Sequence, residues 1–538
     1  MAGDQGQERH DETPGGIAGP RLTIHCRREA TQPGSVRPPG RQPMTASAPE
    51  IPVPSTPRPN SSANRARRPR SANAAAILWL LLAIVPRACF AEDSARSRPN
   101  IIVIIADDLG CDDVAPYHAS AARTPNLARL GREGMRFDRA FLTCSSCSPS
   151  RASLITARYP HATGACELHQ PLPADQVTFV ERLRTGGYWT AAAGKWHLGP
   201  HARKRFDLVV EAAAPLPPDV PRDGSGCEHW LPTLDRRPAD KPFFLWLAAV
   251  DPHRDYADGA VSPPHRPEDV SVPPYYPDTP AVRRDLALYY DEIARLDGYV
   301  GRLLDALAAR QLANDTVVLF MTDNGRPFPR SKTTVYDSGI RTPLLVRWPA
   351  GIAPGSVCGA LVSSVDIGPT LVELAGAEPA ASFQGRSFAR LLGDPAGSIR
   401  PAVFAEHNWH DFTARERAAR DLRYKLIVNE RPDLPGTPPA DAVRGTTFQE
   451  MRRLRDEGRL PAAAASVFAT PRPREELYDL DADPHELTNL ADDPRHEPAL
   501  RRLREELATW SRETGDTSPQ TLTRDMFDRE TGRPLRNE

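Results

Sequence analysis

Three apolar runs stand out along the chain, each of strand length, rich in β-branched or aromatic residues, and followed closely by polar groups. Ile101-Ile102-Val103-Ile104-Ile105 runs into Asp107-Asp108, Phe243-Phe244-Leu245-Trp246-Leu247 leads to Asp251-Pro252-His253, and Thr316-Val317-Val318-Leu319-Phe320 leads to Asp323-Asn324-Gly325. Continuous apolar runs, in place of strict alternation, mark strands buried on both faces, as in parallel sheets. Between them the spacing predicts helices at Thr124-Pro125-Asn126-Leu127-Ala128-Arg129-Leu130 and from Asp285 to Arg310, the latter with Leu288, Ile293, Leu296, Val300, Leu303, Leu304 and Leu307 near helical spacing. Alternating strands and helices predict an α/β sandwich. Ligands of such sheets bind beyond the carboxyl ends of the strands, so the three polar clusters are expected to converge on one site.

From about Ala377 the pattern changes to shorter strands such as Tyr424-Lys425-Leu426-Ile427-Val428, broken by Pro-rich loops near residues 432–439 and 471–473. This predicts a catalytic domain over 98–376 and a smaller α+β domain with an antiparallel sheet over 377–538, an organisation that 538 residues can support.

The N-terminal part reads differently. Residues 1–73 are rich in Pro, Arg, Ser and Gly with few large apolar groups, and are expected to stay disordered. Arg65, Arg67, Arg68 and Arg70 then precede the apolar stretch from Ala74 to Val85, which ends at Cys89-Phe90-Ala91 with small residues where a signal peptidase reads. About 12 apolar residues fall short of the ~20 that cross a bilayer, so 74–91 is expected to be a cleaved signal peptide, with the protein secreted or periplasmic and not stably inserted in a membrane.

Charge removes one class of partner. Of 68 Lys and Arg and 69 Asp and Glu, the first 91 residues hold 12 Arg and 6 acids, so 56 basic face 63 acidic residues in the remainder. A mildly acidic body without basic runs offers no footprint for nucleic acid. Six of the eight cysteines lie beyond the leader (Cys111, Cys144, Cys147, Cys166, Cys227 and Cys358), too sparse for a disulfide framework.

Candidate chemistry gathers at the strand ends. Asp107, Asp108, Asp323 and Asn324 offer only hard oxygen ligands, which suits Ca²⁺ or Mg²⁺ better than zinc. Lysine is scarce: Lys195, Lys204, Lys241, Lys332 and Lys425 are all there are, so Lys195 in Gly194-Lys195-Trp196-His197 and Lys332 shortly after Asp323-Asn324 carry information. A lysine ammonium can bind one sulfate or phosphate oxygen and release a proton, which arginine cannot. Pro252 stiffens the loop that presents His253, a candidate general acid, and an extended segment would set Lys195 and His197 on one face.

Cys144-Ser145-Ser146-Cys147 is a CxxC run, open to a redox, zinc or disulfide reading. A second CxxC or a nearby His pair is missing for zinc, and the chain is far larger than a thioredoxin-like domain. Pro149 suits the first turn of a helix that Ala152-Ser153-Leu154-Ile155 continues, which puts residue 147 at a helix N-terminus, where free N–H groups and the dipole favour an anion. Arg151 lies one turn on.

Cys147-Ser148-Pro149-Ser150-Arg151 with Leu154-Ile155-Thr156 resembles the sulfatase signature in which the Cys of CxPxR is oxidised to Cα-formylglycine, and Gly187-Tyr188-Trp189-Thr190-Ala191-Ala192-Ala193-Gly194-Lys195-Trp196-His197 resembles the family's second signature. Gly339-Ile340-Arg341-Thr342-Pro343 and the block around Glu476-Leu477-Tyr478-Asp479-Leu480 extend the likeness over 98–515, with Ala157 standing where the family usually has Gly. The resemblance implies an alkaline phosphatase-like fold: a large mixed, mostly parallel sheet sandwiched by helices. It also implies one Ca²⁺ held by Asp107, Asp108, Asp323, Asn324 and formylglycine 147, and a maturation enzyme as partner. In the implied mechanism a hydrated aldehyde attacks sulfur with Asp323 as base. Arg151 and Lys195 steady the hydroxyls, and His253 and Lys332 bind sulfate and protonate the leaving group. His197 then helps the second hydroxyl expel sulfate from a sulfo-enzyme.

Loop runs such as Leu168-His169-Gln170, Asp251-Pro252-His253-Arg254 and Pro327-Phe328-Pro329 are similar to the sulfamidase branch, which acts on N-sulfoglucosamine at glycosaminoglycan ends. On that likeness Arg254 and His169 are candidate sugar contacts. Lys332 stands where that branch is expected to carry Arg, so an O-sulfatase on a glycan or small ester stays open, as do a phosphomonoester or phosphonate hydrolase and a non-catalytic glycan-binding protein. A homodimer is the assembly expected if the chain self-associates.

Overall fold

The computed structural model describes residues 98–118 and 122–535; the leader and the signal-like stretch lie outside them. These described residues form one compact unit.

Its large sheet has eight strands: β1 (Asn100–Ala106), β2 (Met135–Phe141), β3 (Trp189–Gly194), β4 (Leu208–Glu211), β5 (Phe243–Ala248), β6 (Thr316–Thr322), β7 (Leu344–Arg347) and β8 (Ser356–Ser363), in the order β4-β3-β5-β1-β6-β7-β2-β8. β7 runs antiparallel to both neighbours and the other pairs are parallel. The three apolar runs are the three central strands. Ile101 of β1 sits opposite Phe244 on one side and Val317 on the other, so their carboxyl ends finish side by side.

Alternate residues of β1 feed opposite cores: Ile101, Val103 and Ile105 pack into one apolar cluster, Ile102 and Ile104 into another. Both faces are covered, which is why the run does not alternate in polarity. Each of these fully buried side chains contributes about 1.5–3 kcal/mol by leaving water.

Helix α1 (Pro125–Glu133) matches expectation. The long helix begins earlier than its apolar spacing suggests, at Pro280 instead of Asp285, and runs to Ala309. Its start is chemical and not hydrophobic: the Thr279 side chain accepts from the Val282 N–H, and Pro280 occupies the first turn, where its missing N–H costs nothing. In chain order the helices that matter here are α1, α2 (Cys147–Thr156), α3 (Pro280–Ala309), α4 (Ala440–Arg444) and α5 (Glu497–Thr514).

The second sheet is fully antiparallel, in the order β12-β11-β10-β9, from β9 (Val403–His407), β10 (Glu416–Arg420), β11 (Tyr424–Asn429) and β12 (Glu475–Asp479). One face packs Ala419, Leu426 and Leu477 against Leu500, Leu503, Leu507 and Trp510 of α5. The other, with Ala418, Ile427 and Tyr478, joins the same apolar cluster as the large sheet. That shared core lets the loops beyond β9 reach the main sheet's carboxyl edge. No helix among the described residues is long and apolar enough to cross a membrane.

α2 is buried along its whole length and ends at Ala157, which holds φ 52 in the left-handed region while its N–H closes onto Leu154 and Ser153 carbonyls. Glycine adopts this conformation freely and alanine does not. Ala157→Gly is therefore expected to raise stability by about 1 kcal/mol, read as a higher urea midpoint at unchanged m-value.

Candidate active site

Asp107 and Asp108 leave the end of β1 fully buried, and Asp323 and Asn324 leave the end of β6 beside them. The two strand ends are tied: the Asp323 N–H donates to the Ala106 carbonyl at 3.1 Å, and the Asp108 N–H to Asp323 Oδ1 at 3.3 Å. Asp108 holds φ 69, a left-handed conformation that Asp tolerates better than most residues and that is concentrated at functional turns.

Cys147 opens α2 at this edge. Its Sγ lies 3.7 Å from Asp107 Oδ1, 3.9 Å from Asp108 Oδ1 and 3.5 Å from Asn324 Nδ2. Cationic groups ring the carboxylates. Arg151, one turn into α2, sets Nε and Nη2 each 2.7 Å from Asp323 Oδ2, Lys195 Nζ pairs with Asp107 Oδ2, and Lys332 Nζ is 2.7 Å from Asp108 Oδ2. His253 Nε2 stands 3.8 Å from the same Asp108 oxygen.

The donor set fits a hard divalent cation. Asp107, Asp108 and Cys147 each offer one ligand atom, all within 4.8 Å of one another. Asn324 Oδ1 is buried and has no hydrogen-bond partner among the described residues, while Nδ2 of the same amide lies 2.6 Å from Asp108 Oδ1 and 2.7 Å from Asp323 Oδ1. Turning that amide over would add a fourth oxygen where the three carboxylates already meet, and the two amide orientations have nearly the same shape.

Protonation follows burial and charge. Burial raises the Asp107 carboxyl, but Lys195, then His253, Arg151 and Lys332, outweigh it and hold Asp107 below the usual carboxylate range. Burial lifts Asp323 to about 7 against the pull of Arg151, and lifts Asp108 despite Lys332. Burial also pushes the Cys147 thiol up to about 12 in spite of Lys195 and Lys332, so at neutral pH the unmodified side chain is a thiol, a poor nucleophile. Burial and then Lys195 and Arg151 lower His197 to about 3, leaving a neutral imidazole.

The structure thus brings together Asp107, Asp108, Cys147, Arg151, Lys195, His253, Asp323, Asn324 and Lys332. Three expectations change. Lys195 and His197 do not share an extended face, because β3 stops at Gly194 and His197 takes φ 53; Lys195 turns to Asp107, and His197 Nε2 meets His169 Nδ1 at 2.8 Å. Arg254 is already engaged within the protein: it forks onto Asp285 at 2.9 and 2.8 Å, donates from Nε to the Pro327 carbonyl at 2.8 Å, and stacks on Tyr256 and Phe328 with only 5% of its side chain exposed. Cys144 and Cys147 are both free, so the disulfide reading falls. His169 is exposed at the rim against His197.

Sequence reasoning missed three residues, all beyond position 400. Trp409 packs with Leu168 against Cys147, and His410 Nδ1 meets Ser146 Oγ, next to Cys147, at 2.7 Å. Asp441, at the start of α4, lies 3.8 Å from His253 Nε2 and 3.9 Å from Lys332 Nζ. The run His407-Asn408-Trp409-His410-Asp411 was a visible signal; Asp441, alone just after a Pro-rich loop, had none.

Known proteins carry the same arrangement of chain. The sulfatase family profile matches residues 99–377. An ulvan-active sulfatase of Formosa agariphila is 30% identical over 465 residues, covering 78% of this chain and 76% of its own. The chain belongs to the sulfatase family. It is accordingly a sulfuric ester hydrolase. A second profile, described as N-sulphoglucosamine sulphohydrolase, C-terminal, matches residues 330–431. The human N-sulphoglucosamine sulphohydrolase is 33% identical over 469 residues, 78% of this chain and 91% of that one. A protein solved in complex with its substrate D-glucosamine-2-N,6-O-disulfate shares the sulfatase fold at TM-score 0.58 and 20% identity, over 78% of this chain and 99% of that one.

Proposed function

We propose that this sulfatase is exported and removes a sulfo group from a sulfated sugar, N-sulfoglucosamine at a glycosaminoglycan end foremost, with Cys147 matured to formylglycine and Ca²⁺ as the cation. The observation that carries the reading is Cys147 at the start of a buried helix, ringed by three carboxylates, Asn324 and four cationic or basic side chains.

Asp107, Asp108, Asp323, Asn324 and residue 147 would hold the cation, which when bound withdraws charge from sulfate and from a bound hydroxyl. A formylglycine at 147 supplies two hydroxyls on one carbon, which a serine cannot. The remaining steps fall to the protein's own side chains. Arg151 and Lys195 steady oxyanion charge beside residue 147, and Asp323 takes a proton. Lys332 and His253 bind the sulfo group, and His253 gives its proton to the leaving atom. His197, neutral and with a buried Nδ1 that has no partner among the described residues, accepts a proton when sulfate is expelled.

The same geometry weighs against a two-metal phosphatase. Asp108, His253 and Asp441 could be read as a second cation site, but the Lys332 ammonium already stands 2.7 Å and 3.9 Å from its two carboxylates. A second metal would have to displace a buried charge of its own sign. The choice of N-sulfoglucosamine is supported by the match over 330–431 and by the human relative. An O-sulfated glycan is the second reading, supported by the ulvan-active relative.

Free sulfate measured after incubation with N-sulfoglucosamine and, separately, with O-sulfated monosaccharides checks the assignment. Faster release from N-sulfoglucosamine is expected; release from the O-sulfated sugars alone would overturn it.

A further inference from the structure

A sulfo group is an anion, so a carboxylate at the mouth of its site needs a reason. Asp441 is such a carboxylate. One oxygen, Oδ1, accepts from the Ala442 N–H at 2.7 Å at the start of α4. The other accepts no hydrogen bond among the described residues and faces His253 Nε2 at 3.8 Å and Lys332 Nζ at 3.9 Å. Both partners already face Asp108 Oδ2, Lys332 at 2.7 Å and His253 at 3.8 Å. Asp108 is fully enclosed, whereas 20% of the Asp441 side chain is open. Asp441 is thus the more open of the two carboxylates that face Lys332 and His253, and stands on their accessible side, where the atom linked to sulfur would leave.

The identity of that atom decides what a carboxylate there can do. In an N-sulfate the bridging nitrogen carries a hydrogen and is a donor; in a sulfate ester the bridging oxygen carries only lone pairs and would be repelled. We propose that Asp441 Oδ2 accepts the bridging N–H of an N-sulfated amino sugar and afterwards holds the product's ammonium, so that it selects an amine over an alcohol as leaving group. This rests on the N-sulfoglucosamine reading and supplies its physical cause. Lys332 stays cationic beside it; burial raises the Asp441 carboxyl, but Lys332, then His253 and Arg254, outweigh it and hold Asp441 below the usual carboxylate range, ionised at neutral pH. A site built around a substrate N–H discriminates strongly against analogues that lack it.

The test is Asp441→Asn, close in shape and able to keep the Ala442 contact through its amide oxygen, with Asp441→Ala as a second variant and thermal melting to show that both fold. For Asp441→Asn, kcat/KM on N-sulfoglucosamine is expected to fall about 100-fold. Inhibition by glucosamine should weaken about 10-fold or more, and inhibition by inorganic sulfate should stay the same or tighten as a negative charge is lost. If sulfate inhibition weakens as much as glucosamine inhibition, Asp441 only positions Lys332 and His253 and the proposal fails; it fails equally if neither moves. A wild-type enzyme active on N-sulfoglucosamine with an indifferent Asp441→Asn overturns this inference alone. A wild-type enzyme active only on O-sulfated sugars overturns both it and the reading beneath it.

Discussion

Cys147→Ala is expected to lower kcat for sulfate release by about four orders of magnitude or more, the scale seen when an enzyme loses its nucleophile and keeps its binding groups. The side chain is 2% exposed and loses a single heavy atom, so the fold should tolerate the change at a cost of about 1 kcal/mol. The reason for the size of the effect lies in the thiol itself. Held up at about 12 by burial, it has almost no thiolate at neutral pH, so ordinary cysteine catalysis is closed to it. Activity then requires conversion of residue 147, and the peptide spanning it should carry an aldehyde or hydrate mass in active enzyme. Cys147→Ser offers one hydroxyl and lacks the second that expels sulfate, so it should turn over no more than about once per site. A wild-type preparation with an intact thiol and full turnover would sink the formylglycine reading.

Much of the frame was legible because the central strands are buried on both faces. A buried parallel strand leaves a continuous apolar run that cannot be confused with a surface strand, and the polar residues after it mark the sheet's functional edge. Cys147, Arg151, Lys195 and Lys332 were legible through their motifs and through the scarcity of lysine. What periodicity could not give was set by single contacts. The start of α3 depends on Thr279 capping Val282, the turn of His197 away from Lys195 on one backbone conformation, and the occupation of Arg254 on a carboxylate 31 positions away. Asp441 reaches the site because Ala440 and Val443 of α4 pack into the same apolar cluster as Ile102 and Ile104 of β1, and no local pattern announces a contact made through tertiary packing.

The calcium proposed above should matter far more for turnover than for folding, and Lys332 is the residue that reveals why. Without a metal, each of the buried acids Asp107, Asp108 and Asp323 already faces a permanent cation, Lys195, Lys332 and Arg151 respectively. Chelation with EDTA is therefore expected to reduce activity about 1,000-fold or more, reversibly, while the fold remains. Calcium at about 100 times its Kd would add about 2.7 kcal/mol, a shift of a few degrees in Tm. Lys332→Ala changes the balance. It leaves the Asp108 carboxylate buried at 0% exposure without its ammonium, a loss of about 3–5 kcal/mol in the metal-free protein. Added calcium then supplies the missing charge and no longer meets the repulsion of a neighbouring ammonium. The variant should accordingly bind calcium more tightly than the wild type and gain more in Tm from it, even though its activity stays low for want of a sulfate-binding cation. Parallel calcium titrations of melting temperature in the two EDTA-stripped proteins measure this directly. An equal or smaller gain in Lys332→Ala would mean that Lys332 and the metal do not compete for the charge of Asp108, and that the oxygen cluster is not the cation's place.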